Sequence, residues 1–144
     1  MIRYFEYSDM EQVLDIWLEA SIKAHDFIDK DFWKSKVNDM RDKYLTSAET
    51  YVYVEEGIIR GFCSLSGETL AAIFVSPDFQ GKGIGQQLIS KVKSLRRYLN
   101  LTVYKYNHNS IDFYKKSGFK ILKEQVDKHT GHAEILMEYK SNKH

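Results

Sequence analysis

Residues 70–95 read LAAIFVSPDFQGKGIGQQLISKVKSL, and this stretch decides the fold. An apolar run, residues 70–75, ends at Ser76 and Pro77, and a glycine-rich segment, residues 80–85, follows it. Apolar residues then recur at the spacing of a helix, at Ile84, Leu88, Val92 and Leu95. The pattern predicts a buried strand, a glycine-rich turn and a helix.

The turn has the composition of a phosphate-binding loop. The first N–H groups of a helix have no partner within it, and the helix dipole adds positive potential in front of them. The glycines Gly81, Gly83 and Gly85 suit such a loop, because a Cβ at any of them would limit φ and keep an anion from approaching the main chain. The spacing excludes the P-loop, since Gln86 and Gln87 stand where Lys and Ser or Thr are needed, and Gln86 also excludes the dinucleotide fingerprint.

Length and composition limit the number of domains and the classes of partner and site that the chain can have. A chain of 144 residues with 43% hydrophobic residues predicts one domain with its own core over residues 1–139, followed by a frayed polar tail, residues 140–144. A net charge of +1 gives no reason to expect a nucleic acid or a membrane as partner. The single Cys63 excludes an internal disulfide and a cysteine-rich zinc site. Neither a signal peptide nor an apolar run of about 18 residues is found, so we expect a cytoplasmic protein.

The first third of the chain predicts one strand and two helices. Residues 2–7 alternate as a strand does, and Ser8 with Glu11 forms a capping box for the first helix. The segment of residues 21–31 loses the helical period and is interpreted as a bend, and residues 32–45 then form a second helix. The first helix carries one apolar stripe, Met10, Val13, Leu14, Trp17 and Leu18.

The rest of the chain completes an α+β fold. Three antiparallel strands, residues 50–55, 58–65 and 70–75, lead into the glycine loop. After the helix that follows the loop, we expect a strand (99–106), a short helix (110–117) and a closing hairpin (119–126 and 133–139). The architecture is then a mixed three-layer α/β/α sandwich with a mostly antiparallel central sheet. One parallel strand pair follows the glycine loop, and ligands bind where such neighbouring strands part.

The glycine loop also carries a family resemblance. Gln80, Gly83 and Gly85 form the pattern Gln-x-x-Gly-x-Gly, which resembles the coenzyme A pyrophosphate loop of the GNAT acetyltransferase superfamily. The predicted order of elements matches the fold of that family, so the resemblance covers nearly the whole chain.

A second motif strengthens the resemblance. Asn107 is followed by the pairs Phe113-Tyr114 and Gly118-Phe119, as in the second GNAT motif. Ser110 stands where the family often has alanine, and we expect it to cap the short helix. The N-terminal third resembles a small bacterial subgroup, some of whose members acetylate protein lysines, at Trp17, Ser21, His25 and Phe27.

The resemblance implies an acetyl-CoA-dependent N-acetyltransferase. The acetyl group would pass by direct attack in a ternary complex to a primary amine, which is a protein lysine, a peptide N-terminus or a small amine. Phe74 and Val75 would bind the pantetheine arm as an added strand does, an N–H near Val75 would polarise the thioester carbonyl, and the side-chain amide of Asn107 would contact the cofactor. The pyrophosphate would bind the main chain of Gln80, Gly81, Lys82, Gly83, Ile84 and Gly85, with Lys82 adding charge or remaining a solvated loop residue.

Tyr114 is implied as the catalytic acid. A phenol with a pKa of about 10 can protonate a thiolate whose pKa lies near 8.5. The amine must also lose a proton, and holding a lysine neutral at pH 7 costs about 4.6 kcal/mol, from 3.4 units at 1.36 kcal/mol each. Glu68 and His25 are candidate bases, with a charged turn residue as the alternative for Glu68 and a substrate contact as the alternative for His25. No histidine has metal-ligand spacing, so we expect no metal.

Two other functions remain open from the sequence. The chain could be a non-catalytic acyl-CoA-binding sensor or interaction module, which needs the glycine loop but not Tyr114. It could also be an interaction domain without a ligand. Either a monomer or a homodimer is compatible with the closing hairpin.

Overall fold

A seven-stranded sheet runs through the molecule, with the strand order β1-β2-β3-β4-β5-β7-β6. The computed structural model describes residues 1–141. The strands are β1 (Ile2–Tyr4), β2 (Glu49–Glu55), β3 (Ile58–Ser66), β4 (Thr69–Val75), β5 (Tyr98–Tyr104), β6 (Lys120–Val126) and β7 (Ala133–Lys140). The helices are α1 (Met10–Ala24), α2 (Lys30–Ser35), α3 (Val37–Asp39), α4 (Ile84–Leu95) and α5 (His108–Lys116).

The sheet confirms the predicted topology. Neighbouring strands are antiparallel except β4 and β5, which are parallel. Glu56 and Gly57 join β2 to β3 with positive φ at both residues, as a tight hairpin turn requires. Within residues 1–141, no helix combines the length and the apolarity needed to cross a bilayer.

Each face of the sheet covers its own apolar core. On one face, α4 packs Leu88 and Val92 against Leu99 and Met137. The opposite face carries α1 and α2 over a second core, which includes Val13, Trp17, Trp33, Val52 and Phe62. Helices on both faces make the predicted three-layer arrangement, and the two cores are separated by the sheet itself.

The start of the first helix differs from the prediction. Ser8 does not cap it, because a 3₁₀ turn at Tyr7–Asp9 precedes α1 and Ser8 is exposed. Asp9 is the N-cap residue of α1 but makes no side-chain hydrogen bond to its first turn, and its carboxylate instead accepts a 2.8 Å hydrogen bond from the N–H of Glu6, at the start of the 3₁₀ turn. Arg3 donates two further hydrogen bonds to Asp9, of 2.8 and 3.0 Å, which hold β1 against the turn.

The predicted bend and second helix are also corrected. The bend begins later than predicted, because α1 continues to Ala24. The segment 32–45 is not one helix but α2, α3 and a π turn, Met40–Tyr44. Trp33 and Met40 are buried in the same core, but Tyr44 is 59% exposed, so the predicted apolar stripe is not continuous.

The C-terminal strand is longer than predicted. Lys140 belongs to β7, and the N–H of Ser141 donates a 2.7 Å hydrogen bond to the carbonyl of Arg97. These two residues of the expected tail are therefore attached to the sheet. The remainder of that tail, residues 142–144, lies outside the described residues.

We expect Asp9→Asn to lower the free energy of unfolding at pH 7 by about 2 kcal/mol, because it weakens the charged hydrogen bonds to a side chain that is 6% exposed. The hydrogen bonds from Arg3 hold the pKa of Asp9 below its usual value. Such a group stabilises the fold above its unfolded pKa and loses that effect as pH falls through the folded pKa. The difference between wild type and variant should therefore shrink below about pH 4.

The measurement is urea unfolding across pH, with Glu11→Gln as the control. Glu11 forms an exposed ion pair with Arg41 at 3.1 Å, so its loss should cost no more than about 0.5 kcal/mol. Equal losses in the two variants would contradict a special role for Asp9.

Candidate active site

The glycine loop leads from β4 into α4 through two residues in the left-handed region. Gly81 has a φ of +80° and Gly83 a φ of +85°, and Gly83 forms the N-cap of α4 without a side-chain hydrogen bond. A Cβ added to either glycine would meet nothing within 4 Å, so their φ values and the open space in front of them explain these residues. The first N–H groups of α4, with no carbonyl partner in the helix, face this space.

Gly85 is required for a different reason from Gly81 and Gly83. The single explanation that the sequence suggested for all three glycines is therefore corrected. Its φ is not positive, and an added Cβ would lie 3.4 Å from two ring atoms of Phe113. Gly85 therefore lets α4 and α5 approach each other closely.

Gln80 connects the loop to two other elements. Its side-chain Nε2 donates a 3.2 Å hydrogen bond to the carbonyl of Val75, and its Oε1 accepts a 3.4 Å hydrogen bond from Lys23 of α1. The sequence analysis missed Lys23, because its partner lies far along the chain. The exposed Lys82 places its ammonium 5.1 Å from the ring centre of Phe79 and does not line the cavity in front of the loop.

Strands β4 and β5 part immediately after they meet. Their register contains one pair, Thr69 with Asn100, supported by a 2.8 Å hydrogen bond between the two side chains. Strand β3 remains paired with β4 as far as Val75. The side of β4 that faces β5 is therefore open towards its carboxyl end, where the glycine loop begins.

A β-bulge in β4 decides which main-chain groups face this gap. Leu65 pairs with Leu70 and Ser64 with Ala72, so Ala71 is an extra residue on β4. Beyond the bulge, the N–H of Ser76 donates to the carbonyl of Arg60 at 2.8 Å. The alternation of an antiparallel ladder then directs the main chain of Phe74 to β3 and that of Ile73 and Val75 to the gap. The main-chain groups that face the gap are thus those of Ile73 and Val75, not of Phe74 and Val75 as expected, and the carbonyl of Val75 already accepts the hydrogen bond from Gln80.

Two cavities meet at this gap. One, of about 640 Å³, lies in front of the glycine loop and reaches the last turn of α1. The other, of about 570 Å³, lies between α2 and the sheet. Five residues line both cavities, namely Ile73, Phe74, Asn107, Ser110 and Tyr114.

Tyr114 lies on α5 in the shared wall. Its ring packs against Phe113 and Phe119, with ring centres 5.5 and 5.6 Å away. Burial raises the pKa of the phenol above its usual value, so the hydroxyl carries its proton at neutral pH. Within residues 1–141, no protein group forms a hydrogen bond with this hydroxyl.

Asn107 caps α5, which corrects the expectation that Ser110 does so. The side-chain Oδ1 of Asn107 accepts a 3.3 Å hydrogen bond from the N–H of Ser110. Its Nδ2 lies 3.2 Å from Nε2 of His25. Asn107 still lines the cavity in front of the glycine loop, so its predicted contact with a cofactor stays a prediction.

The second cavity combines aromatic walls with charged groups. Trp17 and Trp33 pack edge to face with their ring centres 5.9 Å apart, and both are buried. Two carboxylates, Asp39 and Glu134, also line this cavity, and Glu134 accepts a hydrogen bond from Gln125. The sequence analysis missed Glu134 because only the sheet register places it beside Tyr104.

The two candidate bases have different positions. His25 lines the aromatic cavity and is buried, and desolvation lowers its pKa. Glu68 is exposed in the turn before β4 and lines neither cavity, at the opposite end of the strand from the glycine loop. The structure therefore does not bring Glu68 to the site, because the gap opens at the carboxyl end of β4.

Comparisons of the sequence agree with this geometry. A family model described as an acetyltransferase (GNAT) domain matches residues 46–121. The peptidyl-lysine N-acetyltransferase YiaC of Escherichia coli (strain K12) is 37% identical over 123 residues, which cover 85% of this chain and 84% of that protein. The peptidyl-lysine N-acetyltransferase YjaB of the same strain is 30% identical over 135 residues, which cover 93% and 86%.

Solved structures show the same fold. The solution structure of the apo form of YjaB from Escherichia coli has a TM-score of 0.86 and 28% identity, and the match covers 98% of this chain and 97% of that one. The PaiA N-acetyltransferase from Thermoplasma acidophilum, crystallised in complex with coenzyme A, has a TM-score of 0.81 at 18% identity, covering 97% and 98%. The second likeness bears on the fold alone.

We expect Gly83→Ala to weaken acetyl-CoA binding, because a methyl group would project into the open space before α4. Gly57→Ala is the matched control, since Gly57 also has a positive φ, of +76°, with nothing within 4 Å of an added Cβ. Each variant should lose about 1 to 2 kcal/mol of stability from backbone strain. Titration calorimetry should show weaker binding for Gly83→Ala alone, and equal affinities would contradict a phosphate-binding role for the loop.

Proposed function

Because this chain belongs to the GNAT acetyltransferase family, we propose that it transfers the acetyl group of acetyl-CoA to the side-chain amine of a protein lysine. Family membership makes it an acetyl-CoA-dependent N-acyltransferase. The choice of lysine is supported by the names of its relatives YiaC and YjaB. A cytoplasmic location, and the choice between a monomer and a homodimer, stay predictions.

The meeting of the two cavities at Tyr114 is the observation that carries the proposal. One cavity ends at the glycine loop and the other at an aromatic wall, and Tyr114 lines both. Direct transfer needs the thioester and the amine in contact. Because the same residues line both cavities, a thioester in one cavity and an amine in the other would meet beside Tyr114. Each substrate then enters from its own side.

The gap between β4 and β5 fits the cofactor. The free N–H groups at the start of α4 would hold the pyrophosphate, since they combine donors with the positive end of the helix dipole. Ile73 and Val75 would bond the pantetheine arm as an added strand, and the N–H of Val75 would stabilise the oxyanion. Acetyl-CoA supplies an activated carbonyl carbon, to which the amine nitrogen bonds as the carbon–sulfur bond breaks.

Tyr114 would protonate the departing thiolate. The reaction leaves a negative charge on sulfur as the new amide bond forms, and the proton of the phenol moves to that sulfur. The raised pKa of Tyr114 keeps the phenol protonated through the pH range of an enzyme assay. The hydroxyl has no competing protein partner among residues 1–141, so it is free to point at the sulfur.

Glu134 is the carboxylate best placed to receive the ammonium of the acceptor. It lies on β7 opposite Tyr104, is partly buried and lines the aromatic cavity. The methylene groups of a lysine would pack on Trp33 and Phe32, and the ammonium would interact with Glu134. The carboxylate would also accept the proton that the amine must lose, directly or through water.

Thiol release from acetyl-CoA tests the proposed acceptor. We expect release with a lysine peptide whose N-terminus is blocked, and none with the same peptide carrying arginine instead of lysine. Transfer to a peptide N-terminus or a small amine alone would overturn the lysine proposal. Binding of acetyl-CoA without transfer to any amine would favour the non-catalytic sensor instead.

We expect Tyr114→Phe to lower kcat roughly 100-fold, because the thiolate loses its proton donor. The affinity for acetyl-CoA should stay the same, since the ring and its packing are kept. Tyr139→Phe is the matched control, as Tyr139 belongs to the same ring cluster, 5.6 Å from Phe119, but lines neither cavity. Calorimetry and initial rates measure both effects, and an unchanged kcat in Tyr114→Phe would remove the assignment of the acid.

We expect Glu134→Gln to lower kcat/KM for the lysine peptide at least about tenfold, because the variant loses a charged hydrogen bond to the ammonium and the group that accepts its proton. The KM for acetyl-CoA should not change, because Glu134 does not line the cofactor cavity. Glu138→Gln is the control, since Glu138 lies farther along β7 and lines neither cavity. Steady-state kinetics with each substrate varied in turn would refute the role if both variants behave alike.

A further inference from the structure

His25 links the end of α1 to the start of α5. It is the C-cap residue of α1, and its side chain is 7% exposed. The ring stacks on Trp33 with the ring centres 5.0 Å apart, and the rings of Phe27 and Tyr104 lie nearly perpendicular to it, with centres at 5.8 and 5.2 Å. The imidazole is thus packed among three aromatic rings.

The hydrogen bonds of the ring fix its tautomer. Nδ1 lies 3.0 Å from the carbonyl oxygen of Ser21, which can only accept, so Nδ1 carries the proton. On the other side, the N–H of Ser110 requires the oxygen of the Asn107 amide, so the amide nitrogen faces His25. Nε2 therefore accepts a 3.2 Å hydrogen bond from Nδ2 of Asn107. Its lone pair is used, and burial lowers the pKa of the ring, so the ring is neutral.

Asn107 in turn fixes the beginning of α5. Its Oδ1 caps the first turn, its N–H donates to the carbonyl of Tyr104 at 3.0 Å, and its carbonyl accepts from Ile111 at 3.2 Å. Helix α5 carries Tyr114 two turns later. A change in the direction of the first turn therefore moves the phenol relative to the gap in the sheet.

We infer that His25 is a positioning residue, which holds the amide of Asn107 and, through the cap of α5, the hydroxyl of Tyr114 against the cofactor gap. The inference rests on the proposed acetyltransferase function and replaces the expectation that His25 acts as a base. The imidazole acts as a hydrogen-bond acceptor and does not exchange a proton during the reaction.

A pair of substitutions separates positioning from proton transfer. His25→Gln can keep an acceptor oxygen near the place of Nε2 but cannot act as a base, whereas His25→Phe keeps aromatic packing without an acceptor. We expect kcat within about threefold of wild type for His25→Gln and a loss of roughly 10- to 100-fold for His25→Phe, as for a misplaced catalytic group. KM for acetyl-CoA should change little in either.

Asn107→Ser provides a second test that needs no activity. Serine still caps α5 but is too short to reach His25. In ¹⁵N NMR of the full chain, we expect the Nε2 resonance of His25 to lose the shift of a hydrogen-bonded acceptor while Nδ1 stays protonated. Amide hydrogen exchange should become faster in the first turn of α5, and exchange in α4 should not change.

The outcomes separate the two proposals. Without transfer in the wild type the proposed function fails, while the NMR measurement still decides whether His25 holds Asn107. With an active wild type, equal activity of His25→Gln and His25→Phe, whether high or low, would overturn the positioning role. An unchanged Nε2 resonance in Asn107→Ser would overturn the hydrogen bond itself. If His25→Phe fails to fold, kcat of Asn107→Ser takes its place, and a wild-type value there overturns the inference.

Discussion

The parting of β4 and β5 is the constraint on which the rest of the site depends. The two parallel strands meet at Thr69 and Asn100 and then separate, while β3 and β7 continue to hold their outer edges. The bulge at Ala71 turns free main-chain groups of β4 into the resulting gap. Without the bulge, the same alternation would direct Phe74 to the gap and Ile73 and Val75 to β3. One extra residue thus changes an ordinary sheet edge into a binding surface at the place where the glycine loop starts.

Local patterns predicted the elements that depend on local interactions. Helix α4 begins at Ile84 and ends at Leu95 as expected, because its start is marked by glycine and its apolar spacing is regular. Ser8 failed as a cap because a 3₁₀ turn precedes α1, and that turn is held by the contact of Asp9 with Arg3 of β1. The predicted helix 32–45 failed because the helical backbone is interrupted at Lys36 and changes to a π turn at Met40, so that Tyr44, one turn beyond the buried Met40, is exposed.

In the candidate site, too, the sequence predicted only those residues that local motifs mark. The glycine loop and Tyr114 follow from motifs, whereas Lys23 and Glu134 reach the cavities only through contacts between distant parts of the chain. Glu68 was chosen for its closeness in sequence to β4, but the gap opens at the other end of that strand. The register shift at Ala71 leaves no mark in the sequence, since small apolar residues fit regular strands and bulges equally. Position within a sheet is therefore the information that a single sequence does not contain.

The common wall of the two cavities also bears on which acyl groups the protein can use. Phe74, Asn107 and Tyr114 are among the residues that line both compartments and mark their boundary. An acetyl group ends near this boundary, but each further methylene of a longer acyl chain would occupy volume that the incoming amine needs. Discrimination against long acyl donors would then arise from competition between the two substrates for the same space, without a dedicated pocket to measure chain length.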